Sequence, residues 1–364
     1  MTSYKVPVIY YHSVGPVNKE WYRNFLTIEP SVFANHLKFF SKRYKVISLK
    51  EYSLICTGQM SPVKNPLIIT FDDGYLDNFI WAYPLLKKYE LKATVFISPE
   101  FVDYKNEVRS ETDNQGFLSW EEMRIMETSG LIDIQSHTMT HTKYFTSDRI
   151  IDFHNPLADY LYPIGNLFPS EKPCYIGNGN FRKLIPYGYP FFEETSSVIA
   201  RRVEINPDFK HTCVDLLKNY DFRHYDFNEA FKMVKPVYDD YKAKDKLIVD
   251  QETEKNYKDR IIYEIYESKR IIEEKLNKKV EFLCWPHGDN NESLHRMALE
   301  AGYLMTTRGK AQGISKTDPA RIPERMGINF STWFKKQKTI FKLKAFSGKS
   351  PYSEVLKLKR YFVN

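Results

Sequence analysis

The apolar run Ile68-Ile69-Thr70-Phe71 stops at two adjacent carboxylates, Asp72 and Asp73, followed by Gly74 and Tyr75. Short β-branched and aromatic runs of this kind are buried strands, so the aspartates fall at a strand's carboxyl end. Adjacent carboxylates repel unless a cation or separate tasks keep both ionised. Two later segments supply a complement. Ser136-His137-Thr138-Met139-Thr140-His141 brings a pair of histidines, and Phe282-Leu283-Cys284-Trp285-Pro286-His287-Gly288 is a third strand-to-loop transition. Each is weak alone, since Asp-Asp-Gly is a common turn and histidines four apart can be structural or capping residues. Together, a carboxylate and two imidazoles with open positions form the ligand set of a hydrolytic zinc site, although other divalent metals fit it.

The surrounding pattern places these segments on one face. Strand-like runs at Val6–His12, Lys45–Ser48, Leu67–Phe71, Ala93–Ile97, Leu131–Gln135, Val280–Trp285 and Tyr303–Thr307 alternate with helix-like stretches. The helical stretches are Ser31–Tyr44, with a serine N-cap, then Asn78–Tyr89, Ser119–Ser129 and Glu292–Ala301. Ser119 and Glu122 have capping-box spacing, and Gly130 and Gly302 stand at C-cap positions. Alternation of this sort predicts an α/β fold: a parallel sheet with crossover helices, closing into a barrel. All three motifs then lie at the carboxyl ends of strands, where such folds place chemistry.

The rhythm breaks after His141. Roughly 143–254 is aromatic, proline-rich and irregular, as in Tyr160-Leu161-Tyr162-Pro163 and Ile185–Phe192. It resumes with an amphipathic helix expected over Lys255–Leu276, with Ile261, Ile262, Ile265, Ile271 and Ile272 on a helical period. The expected organisation is a barrel from 1–142 and 255–332, an inserted aromatic-rich lobe at 143–254 over the site mouth, and a basic amphipathic segment at 333–364.

That last segment holds the charge imbalance. It carries nine Lys or Arg against Glu354 alone, whereas the whole chain of 364 residues has a net charge of only +7. Interleaved Trp333, Phe334, Ile340, Phe341, Leu343, Phe346, Leu356 and Leu358 give it the pattern of a segment facing anionic lipid, or of a helix capping the domain. No nucleic-acid recognition motif accompanies it. Met1–Lys5 runs straight into a strand-like segment without a secretory h-region, and no window reads as a spanning helix. Four scattered cysteines, Cys56, Cys174, Cys213 and Cys284, fit reduced thiols better than a disulfide framework. The expected location is the cytoplasm, with peripheral contact at the inner membrane face.

The motifs closely resemble those of the polysaccharide deacetylase family, also called the NodB homology domain or carbohydrate esterase family 4. Thr70-Phe71-Asp72-Asp73-Gly74 matches the family's first motif residue for residue, and His137-Thr138-Met139-Thr140-His141 matches its second. Phe282–Gly288 is similar to the third, and Pro7–Ser13 and Ala93–Ile97 look like family strands. The resemblance covers about 1–142 and 255–330. It implies a deformed (β/α) barrel in which Asp73, His137 and His141 bind a divalent metal, most commonly zinc, and Asp72 is the general base. It also implies a backbone amide after the third-motif proline, here that of His287, as an oxyanion donor.

Three features depart from the family pattern. Where the family has an arginine that orients the base, this chain has Cys284; Arg325 is a substitute from a later loop, or else an ordinary surface arginine. The family's late general-acid histidine has no match, because no histidine follows His295. His12 is the first candidate for that role and His287 the second, although His12 could equally be a core histidine. The insertion is unmatched and is expected to decide the substrate.

The resulting expectation is a metal-dependent hydrolase that removes the N-acetyl group from an amino sugar of a glycan or a lipid- or nucleotide-linked precursor, in surface polysaccharide assembly. A sugar deformylase with the same metal and base is one alternative. A glycan-binding module with degenerate catalysis is another.

Overall fold

The computed structural model describes residues 4–17, 24–113, 115–156, 172, 185–309 and 318–363. They divide into two compact units, one from the segments up to Met139 and from Ile265 onward, the other from Thr140–Glu264.

The first unit is built on nine parallel strands. Eight run in the order Arg321–Ile322, Met305–Thr307, Phe282–Leu283, Ile132–Ser136, Ala93–Ile97, Pro66–Phe71, Val8–Tyr11 and Arg325–Met326, and Lys45–Val46 pairs separately with Pro66–Phe71. The two ends of this order are neighbours in sequence, joined only by Pro323 and Glu324. Three residue steps span at most about 11 Å, so the sheet must curl until its edges nearly meet. Pro323 has no N–H to offer a closing ladder. The result is the expected deformed barrel, in which the segment 321–326 pairs with Met305–Thr307 through its first residues and with Val8–Tyr11 through its last.

The interior agrees with that curvature. Val8, Ile68, Phe96, Phe282, Cys284, Met305 and Ile322, from strands spread across the whole order, share one buried cluster with Leu49, Tyr52 and Ile55. These last three come from the helix Leu49–Cys56, which begins with a reciprocal Ser48–Glu51 capping box. The predicted box at Ser119 and Glu122 also forms, at the head of Trp120–Thr128. At Pro30–Ser41 the serine N-cap does not: Pro30 takes the first helical position and Glu29 caps without a side-chain bond. Proline's fixed φ favours that position and moves the helix start upstream of Ser31.

The second unit has its own core. Lys143–Phe153 pairs antiparallel with Pro190–Ser196, and Val203–Ile205 pairs with Ile248–Gln251. The helices Pro207–Leu216 and Phe227–Ala243 cover them, burying Phe153, Phe192, Phe209, Cys213 and Val234. Much of its aromatic content therefore fills a core, and Tyr160–Pro163 lies outside the described residues. The helix expected over Lys255–Leu276 is broken into Glu254–Ile262, a π-turn at Tyr263–Glu267, and Ser268–Leu276. The segment after residue 332 forms two helices of the first unit, Trp333–Phe346 and Tyr352–Val363.

Candidate metal centre and active site

Strand register sets the site. Tyr11 lies opposite Phe71, Phe71 opposite Val95, Ile97 opposite Ser136, and Ser136 opposite Leu283. The residues that follow, His12, Asp72, Ser98, His137 and Cys284, therefore emerge along one carboxyl-end rim. The backbone is unusual there. Asp73, Thr138, His141 and His287 have φ of 72°, 63°, 41° and 57°, left-handed values that are uncommon outside glycine and concentrate at functional sites. Gly74, at φ 70°, cannot be replaced without displacement, because an added Cβ would lie 2.6 Å from Ile97 Cγ2. The turn it allows sends the carboxylates of Asp72 and Asp73 in different directions.

Asp73, His137 and His141 each direct a ligand atom into one place, all within 4.8 Å of one another, and all three are buried. His137 Nε2 is 3.4 Å from Asp73 Oδ1. Its other ring nitrogen, Nδ1, lies 2.8 Å from the Cys284 carbonyl. A carbonyl can only accept, so in the neutral imidazole Nδ1 carries the proton and Nε2 offers its lone pair, as a metal-binding histidine needs. Burial pulls the His137 imidazole down, but Cys284, Asp73 and Asp72 outweigh it and hold its pKa well above the ordinary value. The Asp73 carboxylate beside the ring would favour a divalent cation in the same place. One carboxylate and two imidazoles within reach of a single centre fit zinc.

Asp72 adjoins that centre, with an oxygen in a second group of ligand atoms, shared with His137 and Cys284, that lie within 4.8 Å of one another, and it is held by Arg325. The guanidinium grips both carboxylate oxygens, Nη1 to Oδ1 at 2.6 Å and Nη2 to Oδ2 at 2.8 Å. The same group donates to Cys284 Sγ at 3.0 Å and to Thr70 Oγ1 at 3.3 Å. Burial alone would raise the Asp72 carboxyl, but Arg325 and then His137 hold it below the usual carboxylate value. Arg325 is thus no surface arginine: it enters from the last parallel strand and fills the space beside a small cysteine.

His12 leaves the first strand beside Asp72, its ring edge-on to Tyr10 and its carbonyl accepting from Asn78 Nδ2 at 2.8 Å. His287 occupies the short turn Pro286–Gly288. Two supports were not anticipated from the sequence. Glu264 is fully buried and accepts from the Thr140 backbone N–H at 3.0 Å and from its hydroxyl, between the two histidine positions of the second motif. Asp77 accepts from Ser13 Oγ and from Asn78 Nδ2, the latter at 3.0 Å, bracing the loop after His12. The spacing Asp72–Asp77 within one turn hinted at the second; nothing local marks Glu264.

Comparison with known proteins agrees with this geometry. Residues 60–155 match the family model described as polysaccharide deacetylase. The chain is 32% identical over 191 residues to the Bacillus subtilis (strain 168) "Putative polysaccharide deacetylase YxkH", covering 47% of this chain and 62% of that protein. In fold it resembles a de-N-acetylase from Aggregatibacter actinomycetemcomitans, with a TM-score of 0.56 and 19% identity over 92% of this chain and 98% of the other. The BpsB deacetylase domain from Bordetella bronchiseptica gives a TM-score of 0.52 and 16% identity, over 89% and 96% of the two chains. Residues 60–155 thus carry polysaccharide deacetylase sequence, and the barrel to which they contribute has the fold of solved deacetylases. The resemblance drawn from the motifs holds.

Proposed function

We propose that the protein is a metal-dependent hydrolase that removes the N-acetyl group from an amino sugar of a glycan or glycan precursor, releasing acetate and a free amine. The observation that carries this reading is the convergence of Asp73, His137 and His141 within 4.8 Å of one another, next to a second carboxylate held separately by Arg325. Asp73, His137 and His141 would hold the ion, which when bound would polarise the amide carbonyl and make a water acidic. Asp72, ionised and turned to Arg325, would accept a proton as general base. The backbone N–H of His287 is the candidate oxyanion donor. His12, on the same rim as Asp72, is the first candidate to protonate the leaving amine, and His287 the second. The Arg325–Asp72 pair favours an active enzyme over a degenerate binding module, since it supplies the base-orienting contact that Cys284 cannot. The positive charge gathered in residues 333–364 supports a precursor presented at an anionic membrane.

The test joins metal and turnover. His141→Ala should lose stoichiometric zinc and acetate release together, measured by elemental analysis and by assay on an N-acetylated glucosamine oligomer. Undiminished metal in that variant would remove His141 from the ligand set. Formate release from an N-formyl substrate in preference to acetate would turn the reading to a deformylase.

A further inference from the structure

The helix Trp333–Phe346 divides into two parts. Its later residues are packed: Thr339, Leu343 and Ala345 are buried, and the Thr339 hydroxyl donates to the Asn329 carbonyl at 3.1 Å. By contrast, Trp333 to Lys338 are all exposed, six consecutive residues of which Lys336 reaches back over the Phe330 ring at 5.6 Å. They include two large aromatics, Trp333 at 67% and Phe334 at 79% exposure, with ring centroids 5.0 Å apart. Lys335, Lys336 and Lys338 accompany them, with no acidic residue in the helix.

The direction of this helix places its free turn. Arg325 pairs with Val8 and Met326 with Ile9 in a parallel strand, so the chain leaves that strand toward the rim that bears His12 and Asp72. Phe330 packs on the rings of His36 and Phe39, and the helix begins three residues later. At its far end, Gly348 lies against Lys5, and Lys349 bonds Asn65 at 3.0 Å. Lys5 and Asn65 precede the strands Val8–Tyr11 and Pro66–Phe71. The helix therefore runs from the catalytic end of the barrel to the opposite end, with its aromatic turn at the catalytic end.

We propose that Trp333 and Phe334, flanked by Lys335, Lys336 and Lys338, form a seat for an anionic lipid bilayer that turns the catalytic end of the barrel toward the membrane. Exposed aromatic side chains enter the interface, and lysines beside them meet the headgroup charge. The use of such a seat, delivery of a lipid-linked substrate, rests on the deacetylase reading, but the binding itself does not. The seat lies at this turn because Trp333 and Phe334 are adjacent, exposed and followed by three exposed lysines, whereas Lys349 is bonded within the fold.

The experiment is sedimentation of the full chain with phosphatidylcholine vesicles, with and without phosphatidylglycerol, together with hydrolysis of a water-soluble N-acetylglucosamine oligomer as a separate readout. The protein should bind only the anionic vesicles, and salt should release it. Trp333→Ala/Phe334→Ala should lose on the order of tenfold in affinity, and Lys335→Gln/Lys336→Gln/Lys338→Gln on the order of a hundredfold. Both variants should keep wild-type activity on the soluble oligomer. A blue shift in emission on vesicle binding that Trp333→Phe abolishes would support insertion. No sedimentation, or unchanged sedimentation of the aromatic variant, would overturn the proposal. So would retention on an acidic polysaccharide without vesicle binding, which would make the turn a glycan contact.

Discussion

The two carboxylate-bearing sides of the site are supported in opposite ways. Asp72 is fixed by the barrel's own strands: Arg325 and Thr70 lie on strands, and Cys284 directly follows one. The loop that carries His137 and His141 is fixed at its middle by Glu264, 124 residues further along the chain. Asp72 therefore sits among the parallel strands of the sheet. The loop with the two histidines instead takes left-handed backbone at Thr138 and His141 and is bonded to the buried Glu264 carboxylate. Local backbone strain of this kind persists only where surrounding contacts over-determine it. Under the proposed function, the difference separates two failure modes: loss of chemistry with the metal kept, and loss of metal with the chemistry otherwise intact.

The largest effect should come from the first side. Asp72→Asn should keep stoichiometric metal while kcat falls by several orders of magnitude, on the order of 10³ or more, since the proton acceptor is gone. Equal loss of metal would make Asp72 a ligand and erase the distinction. Next is Arg325→Lys, which keeps the charge but not the fork that bonds both oxygens. Turnover should fall about ten- to a hundredfold with metal content unchanged, the usual range for a group that orients a catalytic neighbour. Wild-type kinetics there would show that the bidentate grip is structural only.

The second side is probed by Glu264→Gln. An amide can still accept from the Thr140 N–H, but it loses the charge that strengthens both bonds. Metal affinity, read by competition with a chelator, should weaken about tenfold, and kcat at saturating metal should stay near wild type. A kcat loss without a change in metal affinity would place Glu264 on the base side instead.

These two sides also differ in how visible they are in the sequence. Asp72, Asp73, His137 and His141 stand in contiguous motifs, because strand ends deliver neighbouring residues to one rim, and the three motifs suffice to place the sheet. Arg325 was within reach of sequence reasoning because Cys284 leaves a gap that some cation must fill. Glu264 was not, since it lies in a helix whose apolar period advertises only packing, and a π-turn at Tyr263–Glu267 interrupts that period. The serine cap at Ser31 failed for a local reason, proline's preference for the first helical position. The terminal segment reads as basic and amphipathic throughout, because its pattern cannot show which turns have barrel beneath them.

The smallest effect on turnover should come from Asp77, which touches neither the base nor the ligand loop. It is buried, and desolvation raises its carboxyl from 3.8 to about 6 against the lowering contacts of Ser13, the Val14 N–H and Asn78. A carboxyl with a raised folded-state pKa favours the folded state in its protonated form. Its contribution is therefore complete below the ordinary value near 4, and is lost as the pH rises through about 6. A shift of about two units corresponds to on the order of 3 kcal/mol of stability lost between those limits. Asp77→Asn cannot ionise, so this part of the pH dependence should vanish, giving a flatter urea midpoint between pH about 4 and about 7. Metal content and kcat should change little, because Asn78 still holds the His12 carbonyl. If the variant keeps the wild-type slope, the falling stability belongs to another group. If it instead loses kcat while keeping metal, the His12 loop joins Asp72 on the chemical side of the site, and His12 gains weight as the proton donor.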